Sequence, residues 1–133
     1  MRTIFWRFAY DESQLHSILS ENKLVYPNFN QWPLSKNTKD KVILDIKVGH
    51  YILLANFNLN TNTGAVRAVG KIISNNDTEF VVEWRKPVPF WNLSPNVQGG
   101  VQQWRNEGVF CFDAAPVKHY KLVPLTEKLF KTQ

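Results

Sequence analysis

The sequence predicts an α+β domain, a small, mostly antiparallel curled sheet or β-barrel with one or two outer helices. Three observations lead there. Runs of β-branched and aromatic residues of strand length fill the second half, punctuated by turn chemistry at Lys47-Val48-Gly49, Thr63-Gly64 and Asn75-Asn76-Asp77. One helical stripe, Leu15, Ile18 and Leu19, follows an early strand pattern. A chain of 133 residues, 44% apolar and 20% charged, suits one hydrophobic core, so residues 1–133 are read as a single domain.

The elements follow in order. Thr3 to Ala9 is rich in β-formers and reads as the first strand, with Ile4, Trp6 and Phe8 on one face. Asp11 starts a helix, its carboxylate free to accept from first-turn amides and Gln14 at capping-box spacing. That helix fades between Asn22 and Leu24. Tyr26 to Lys41, with Pro27, Pro33 and three asparagines, has turn chemistry and no period. A loop this long in a compact domain is commonly functional. His50 to Phe57 is an apolar strand, and Val66–Ser74 with Glu79–Val88 reads as a hairpin. Phe90 to Gly108 is irregular or briefly helical, broken by Pro95 and Gly99-Gly100. Val109–Asp113 and Val117–Val123 read as short late strands, and Leu125–Phe130 as a terminal helical turn. There is no internal repeat, linker or low-complexity tract.

Several function classes find no support. No stretch approaches the ~18 apolar residues of a membrane span, and Met1 to Tyr10 lack a signal-peptide pattern. A single cysteine, Cys111, forbids an intrachain disulfide, which makes a reducing, cytoplasmic setting the expectation. His16, His50, His119 and Cys111 never fall at zinc-site spacing, so no metal and no cofactor are expected. No nucleophile elbow and no phosphate-cradling glycine loop occurs, and Cys111 sits in a strand pattern that buries a thiol as an inert residue. The chain reads as a binding module and not as a self-sufficient enzyme.

Charge and aromatic content point to a ligand class. The formal charge is +5 and the pI near 9.4, which favours polyanionic partners. Aromatics reach 14%, with five tryptophans at positions 6, 32, 84, 91 and 104. In Glu83-Trp84-Arg85-Lys86-Pro87-Val88-Pro89-Phe90-Trp91, rings alternate with cations, and Trp104-Arg105 repeats the theme. Flat rings stack on bases while arginine and lysine neutralise phosphates. The plain reading of Trp84 is core, since it shares a strand face with Phe80 and Val82. Trp6 is core or a pocket floor. Trp32 and Trp91 lie in loops among polar residues, where a ligand contact and a cap on the end of the barrel are equally natural.

The layout resembles the PUA-like superfamily, in particular its EVE and YTH branches. The features carrying the resemblance are the aromatic first strand around Trp6, the early outer helix and the tryptophan-bearing loop at Trp32. The step Lys47-Val48-Gly49-His50-Tyr51-Ile52-Leu53-Leu54 and the strands Val66-Arg67-Ala68-Val69-Gly70-Lys71-Ile72 and Phe80-Val81-Val82-Glu83-Trp84 complete it. Together they cover about Thr3 to Val123.

The resemblance implies a nucleic-acid-binding module that holds a modified, methylated base, flipped into an aromatic cage. DNA is favoured over RNA, as in the specificity domains of modification-dependent restriction systems, with a nuclease or NTPase domain or subunit as partner. Asn30-Gln31-Trp32-Pro33-Leu34-Ser35 is similar to the YTH segment in which a cage tryptophan precedes base-contacting polar residues. That implies Trp32 as a cage wall and Asn30 or Ser35 at the base edge. Asn75-Asn76-Asp77 holds no tryptophan where YTH domains carry one in a loop, so a second wall falls to Trp91 or Trp6. Arg85, Lys86, Arg105 and Lys36 are the expected backbone contacts. Two other readings stay open. One is an ASCH-type enzyme acting on a nucleoside, using Lys47 or Lys71 with Glu83. The other is a protein-interaction domain using Pro87-x-Pro89-Phe90-Trp91.

Overall fold

The computed structural model describes residues 3–25, 45–58, 60–76, 79–87, 91–94, 104–105 and 108–131. Strand β1 (Phe5–Phe8) leads through a 3-10 turn (Glu12–Gln14) into helix α1 (Leu15–Glu21). The Asp11 carboxylate caps the turn by accepting from both the amide and the hydroxyl of Ser13. Those two bonds hold its pKa below the usual aspartate value. Asn22, in the left-handed conformation (φ 56°), ends α1 and turns the chain directly into β2 (Lys23–Val25). Then come β3 (Tyr51–Asn58), β4 (Thr63–Asn75), β5 (Glu79–Arg85), β6 (Trp91–Leu93) and β7 (Val109–Cys111). Helices α2 (Ala114–His119) and α3 (Leu122–Lys131) follow.

The described strands form one mixed sheet in the order β2-β5-β4-β3-β1-β7, with β6 paired to β4. Neighbours are antiparallel except β1 and β3, which run parallel. Two bulges interrupt β4. One leaves Arg67 unmatched opposite Leu54 and Ala55, and the other leaves Ile73 unmatched opposite Val82 and Val81. Bulges bend a strand and increase its twist.

The resulting curl is large. Phe8 of β1 and Phe80 of β5 lie three strand spacings apart, and their rows cross β4 at Ala68 and Asn75. In a flat sheet they would be roughly 14 Å apart sideways and more than ~20 Å apart along the strands. Their ring centroids are 5.8 Å apart, edge to face. The sheet is curled yet open among its described strands, since its path ends at β2 and β7 without pairing the two.

Both faces are covered. The concave face carries Trp6, Phe8, Ile52, Leu54, Ile72 and Val82, and partly buried Leu15, Ile18 and Leu19 of α1 pack on it. The convex face carries Phe5, Leu53, Val66 and Val69, covered by Trp104 and by Val117 and Leu122 of α2 and α3. Each such aliphatic side chain fully removed from water contributes about 1.5–3 kcal/mol.

Three sequence expectations change. Val117–Val123 is helical and not a strand. Pro116 and Pro124 each sit in the first turn of a helix, where the missing amide hydrogen costs nothing, and Asp113 stands at the N-cap position of α2. Lys121, at φ 58°, separates the two helices. The expected fading of α1 is a strand, β2, and the irregular segment after Phe90 contains β6.

Candidate nucleobase site on the concave face

The register of four strand pairs places Trp84, Gly70, Ile52, Trp6 and Cys111 in one row across the sheet. All five positions belong to the concave side. Gly70 is what makes the row close-packed. A β-carbon there would lie 2.3 Å from Cγ1 of Val82 and 2.7 Å from Cε3 and Cζ3 of Trp84, so both side chains close over the bare backbone. Trp84 is 8% exposed and its Nε1–H is buried without a hydrogen-bond partner.

At the other end of the row Trp6, 4% exposed, donates from Nε1 to Nδ1 of His50 at 3.1 Å. The two rings are nearly parallel, 24° apart, with centroids at 6.4 Å. Nδ1 of His50 also accepts from the Lys47 amide at 3.2 Å. Burial, helped by the Lys47 charge, lowers the His50 pKa below its ordinary 6.5. The Cys111 thiol, half-buried beside Trp6, donates to its neighbour's carbonyl at Phe112.

The remaining expected site residues are distributed as follows. Asn30, Trp32, Ser35 and Lys36 lie outside the described residues. Trp91 is half-buried on β6 opposite Val66 and packs on the convex cluster, so it does not share the face of Trp6. Trp6 meets His50, while Trp84 belongs to the same concave cluster three strands away. Arg85 is folded back on the protein. It donates to the Trp84 carbonyl at 2.8 Å and to the Glu83 carboxylate at 2.7 Å, and lies 4.9 Å over the Phe130 ring. Lys86, two residues after Trp84, and Arg105, next to Trp104, are exposed. Lys71 and Glu83 are cross-strand partners on the convex side, both exposed, while Lys47 stands in the His50 turn. In the Pro-rich segment, Pro87 is buried.

Two features escaped the sequence reading. Arg7 is 1% exposed on the convex side. Its guanidinium donates to the carbonyls of Ala55 (2.7 Å) and Trp104 (3.2 Å) and lies 5.0 Å over the Trp104 ring. It fixes Trp104, whose indole is pressed against Gly64 so closely that a β-carbon there would collide with it. Trp104 Nε1, Arg85 Nε and Thr126 Oγ1 are also buried without partners, but all three belong to the convex side. Tyr120 donates its hydroxyl to the Ser94 carbonyl, and burial pushes its pKa up to about 12.

Among the described residues no three His, Cys, Asp or Glu side chains converge to hold a metal ion, and no helix is long and apolar enough to cross a membrane. No protein-family model matches the chain, and no curated protein matches it.

Proposed function

We propose that this chain is a nucleic-acid-binding module that recognises a modified, methylated base held on the concave side of its curled sheet. On this reading the sheet is the open counterpart of a PUA-like barrel. The target is DNA, and the module supplies specificity to a restriction system whose nuclease or NTPase sits on another domain or subunit.

The observation that carries the proposal is the row from Trp84 to Trp6. It sets two indoles on one concave face, Trp84 packed over Gly70 and Trp6 three strands away, and leaves the Trp84 N–H, more than nine-tenths buried, without an acceptor. A buried donor left unpaired costs about 1–3 kcal/mol, a cost that a ligand acceptor relieves. The acceptor oxygens and nitrogens of a nucleobase edge are of the right chemistry. Trp6 and Trp84 then form the floor of the site, and Trp32, with Asn30 and Ser35, supplies the wall.

Magnitudes agree with a charge-assisted site. Extruding a base costs a few kcal/mol, stacking on an aromatic returns about 1–3 kcal/mol, and phosphate contacts from a chain of net charge +5 contribute most of the rest. One methyl group contributes only ~0.8 kcal/mol by burial. Discrimination therefore needs hydrogen bonds that the unmodified base satisfies poorly.

The test is a binding panel of one oligonucleotide sequence, as DNA and as RNA, carrying no modification, a methylated cytosine or a methylated adenine. The expected result is one modified DNA bound at least ~10-fold more tightly than its unmodified counterpart. Equal affinity across the panel contradicts the reading.

A further inference from the structure

We propose that His50 is a positioning residue for Trp6, a proton-sensitive acceptor that fixes the plane of the indole in the base site; its link to ligand affinity rests on the function proposed above. The argument begins with one atom. Nδ1 of His50 accepts from the Trp6 indole at 3.1 Å and from the Lys47 amide at 3.2 Å. A ring nitrogen that accepts from two donors cannot carry a proton, so the imidazole is neutral with its hydrogen on Nε2. Protonation at Nδ1 places hydrogen against hydrogen and breaks both bonds.

The histidine is in turn held by backbone. His50 N–H donates to the Lys47 carbonyl at 3.1 Å, Ile72 N–H donates to the His50 carbonyl at 2.9 Å, and Gly49 N–H donates to the Ile72 carbonyl at 2.9 Å. The turn is therefore anchored to β4 while Trp6 is anchored in β1, and the imidazole is the pin between them. Loss of the pin leaves the backbone in place and removes the acceptor that sets the tilt of the Trp6 ring within its packed surroundings.

Of the neighbouring charges, the Lys47 cation favours the neutral state. Lys47 and Asp45 stand in the same turn. From β4 the nearest ionisable side chain is Lys71, next to Ile72 but on the opposite face. Strand β7 contributes the Cys111 thiol across from Trp6, and β1 presents Ile4, Trp6 and Phe8 on this side, none of them charged. Burial and the Lys47 cation both disfavour the imidazolium.

The experiment is a pH titration of the whole chain, labelled with ¹⁵N, from about pH 8 to about pH 5, the range in which a histidine changes charge. It follows the Trp6 indole N–H resonance, in parallel with affinity for a methylated DNA oligonucleotide. Wild type is expected to show the Trp6 resonance moving with one midpoint below 6.5, accompanied by a loss of affinity of a few fold to ~10-fold, the worth of one hydrogen bond. His50→Gln keeps an acceptor that does not titrate, so it should hold the Trp6 resonance and the affinity constant over the range. His50→Leu should show the low affinity at every pH. A Trp6 resonance that ignores pH in wild type, or that titrates unchanged in His50→Gln, overturns the proposal. If Trp6 titrates as expected while no oligonucleotide binds, His50 keeps its positioning role and it is the proposed function that fails.

Discussion

Trp84 lies over Gly70, its direct cross-strand partner, so closely that a β-carbon at position 70 would stand 2.7 Å from the indole. The relationship ties fold to site, because the ring that packs the concave core over Gly70 also carries the buried, unpartnered N–H. Val82 Cγ1 would stand nearer still, at 2.3 Å, so Gly70→Ala is expected to force both Val82 and the ring aside and to destabilise the fold by about 1–3 kcal/mol, the usual cost of overpacking. Urea denaturation checks this, and an unchanged midpoint would show that Trp84 is not wedged where the structure has it.

Arg7 makes a second stability test. Its guanidinium satisfies two buried carbonyls and carries the Trp104 ring. Arg7→Met preserves most of the side-chain volume but leaves the Ala55 and Trp104 carbonyls without this donor, at an expected cost of about 1–3 kcal/mol. A variant as stable as wild type in urea would mean that water or a neighbouring amide replaces the guanidinium.

Acid should weaken the fold through His50. Its pKa in the folded chain is depressed below 6.5, so the unfolded chain takes up the proton first as pH falls. The contribution to stability is fully present above pH 6.5, declines as pH falls through the lower folded pKa, and then levels off. Urea midpoints of wild type and His50→Gln should therefore diverge on the acid side of 6.5 and run parallel above it. Parallel curves throughout would contradict this assignment.

These tests concern residues of unequal legibility. Strand β5 and helix α1 were readable because Phe80, Val82 and Trp84 alternate and Leu15, Ile18 and Leu19 fall at helical spacing. Strands β3 and β4 were readable as runs of β-formers between turn signals, their bulges invisible in the sequence. The segment from Val117 to Val123 misleads because short apolar runs with valine and tyrosine fit a strand and a helix equally. Prolines decide for the helix only once their place in the first turn is known. Arg7 was not readable at all. Alternation along β1 marks Ile4, Trp6 and Phe8 as one face and leaves Phe5 and Arg7 on the other. It does not reveal that α2, α3 and Trp104 cover that second face too. For the site, sequence singled out Trp6 but had no means of pairing it with His50, 44 positions away. Trp84 read as plain core, and the unpartnered edge of its ring is visible only in three dimensions.

The central claim, that a modified base is read on the concave face, is tested most directly by the ratio of affinities for methylated and unmodified DNA at one salt concentration. The ratio is compared between Trp84→Phe, Trp32→Ala and Lys86→Ala, with circular dichroism confirming that each variant folds. Trp84→Phe keeps an aromatic ring and deletes the N–H, and Trp32→Ala deletes the proposed wall. Each should lower affinity for the methylated site by about 1–3 kcal/mol and pull the ratio toward one. Lys86→Ala, at an exposed position two residues after Trp84, should weaken both sites alike through lost phosphate contact and leave the ratio intact. A ratio unchanged in folded Trp84→Phe and Trp32→Ala would contradict the account.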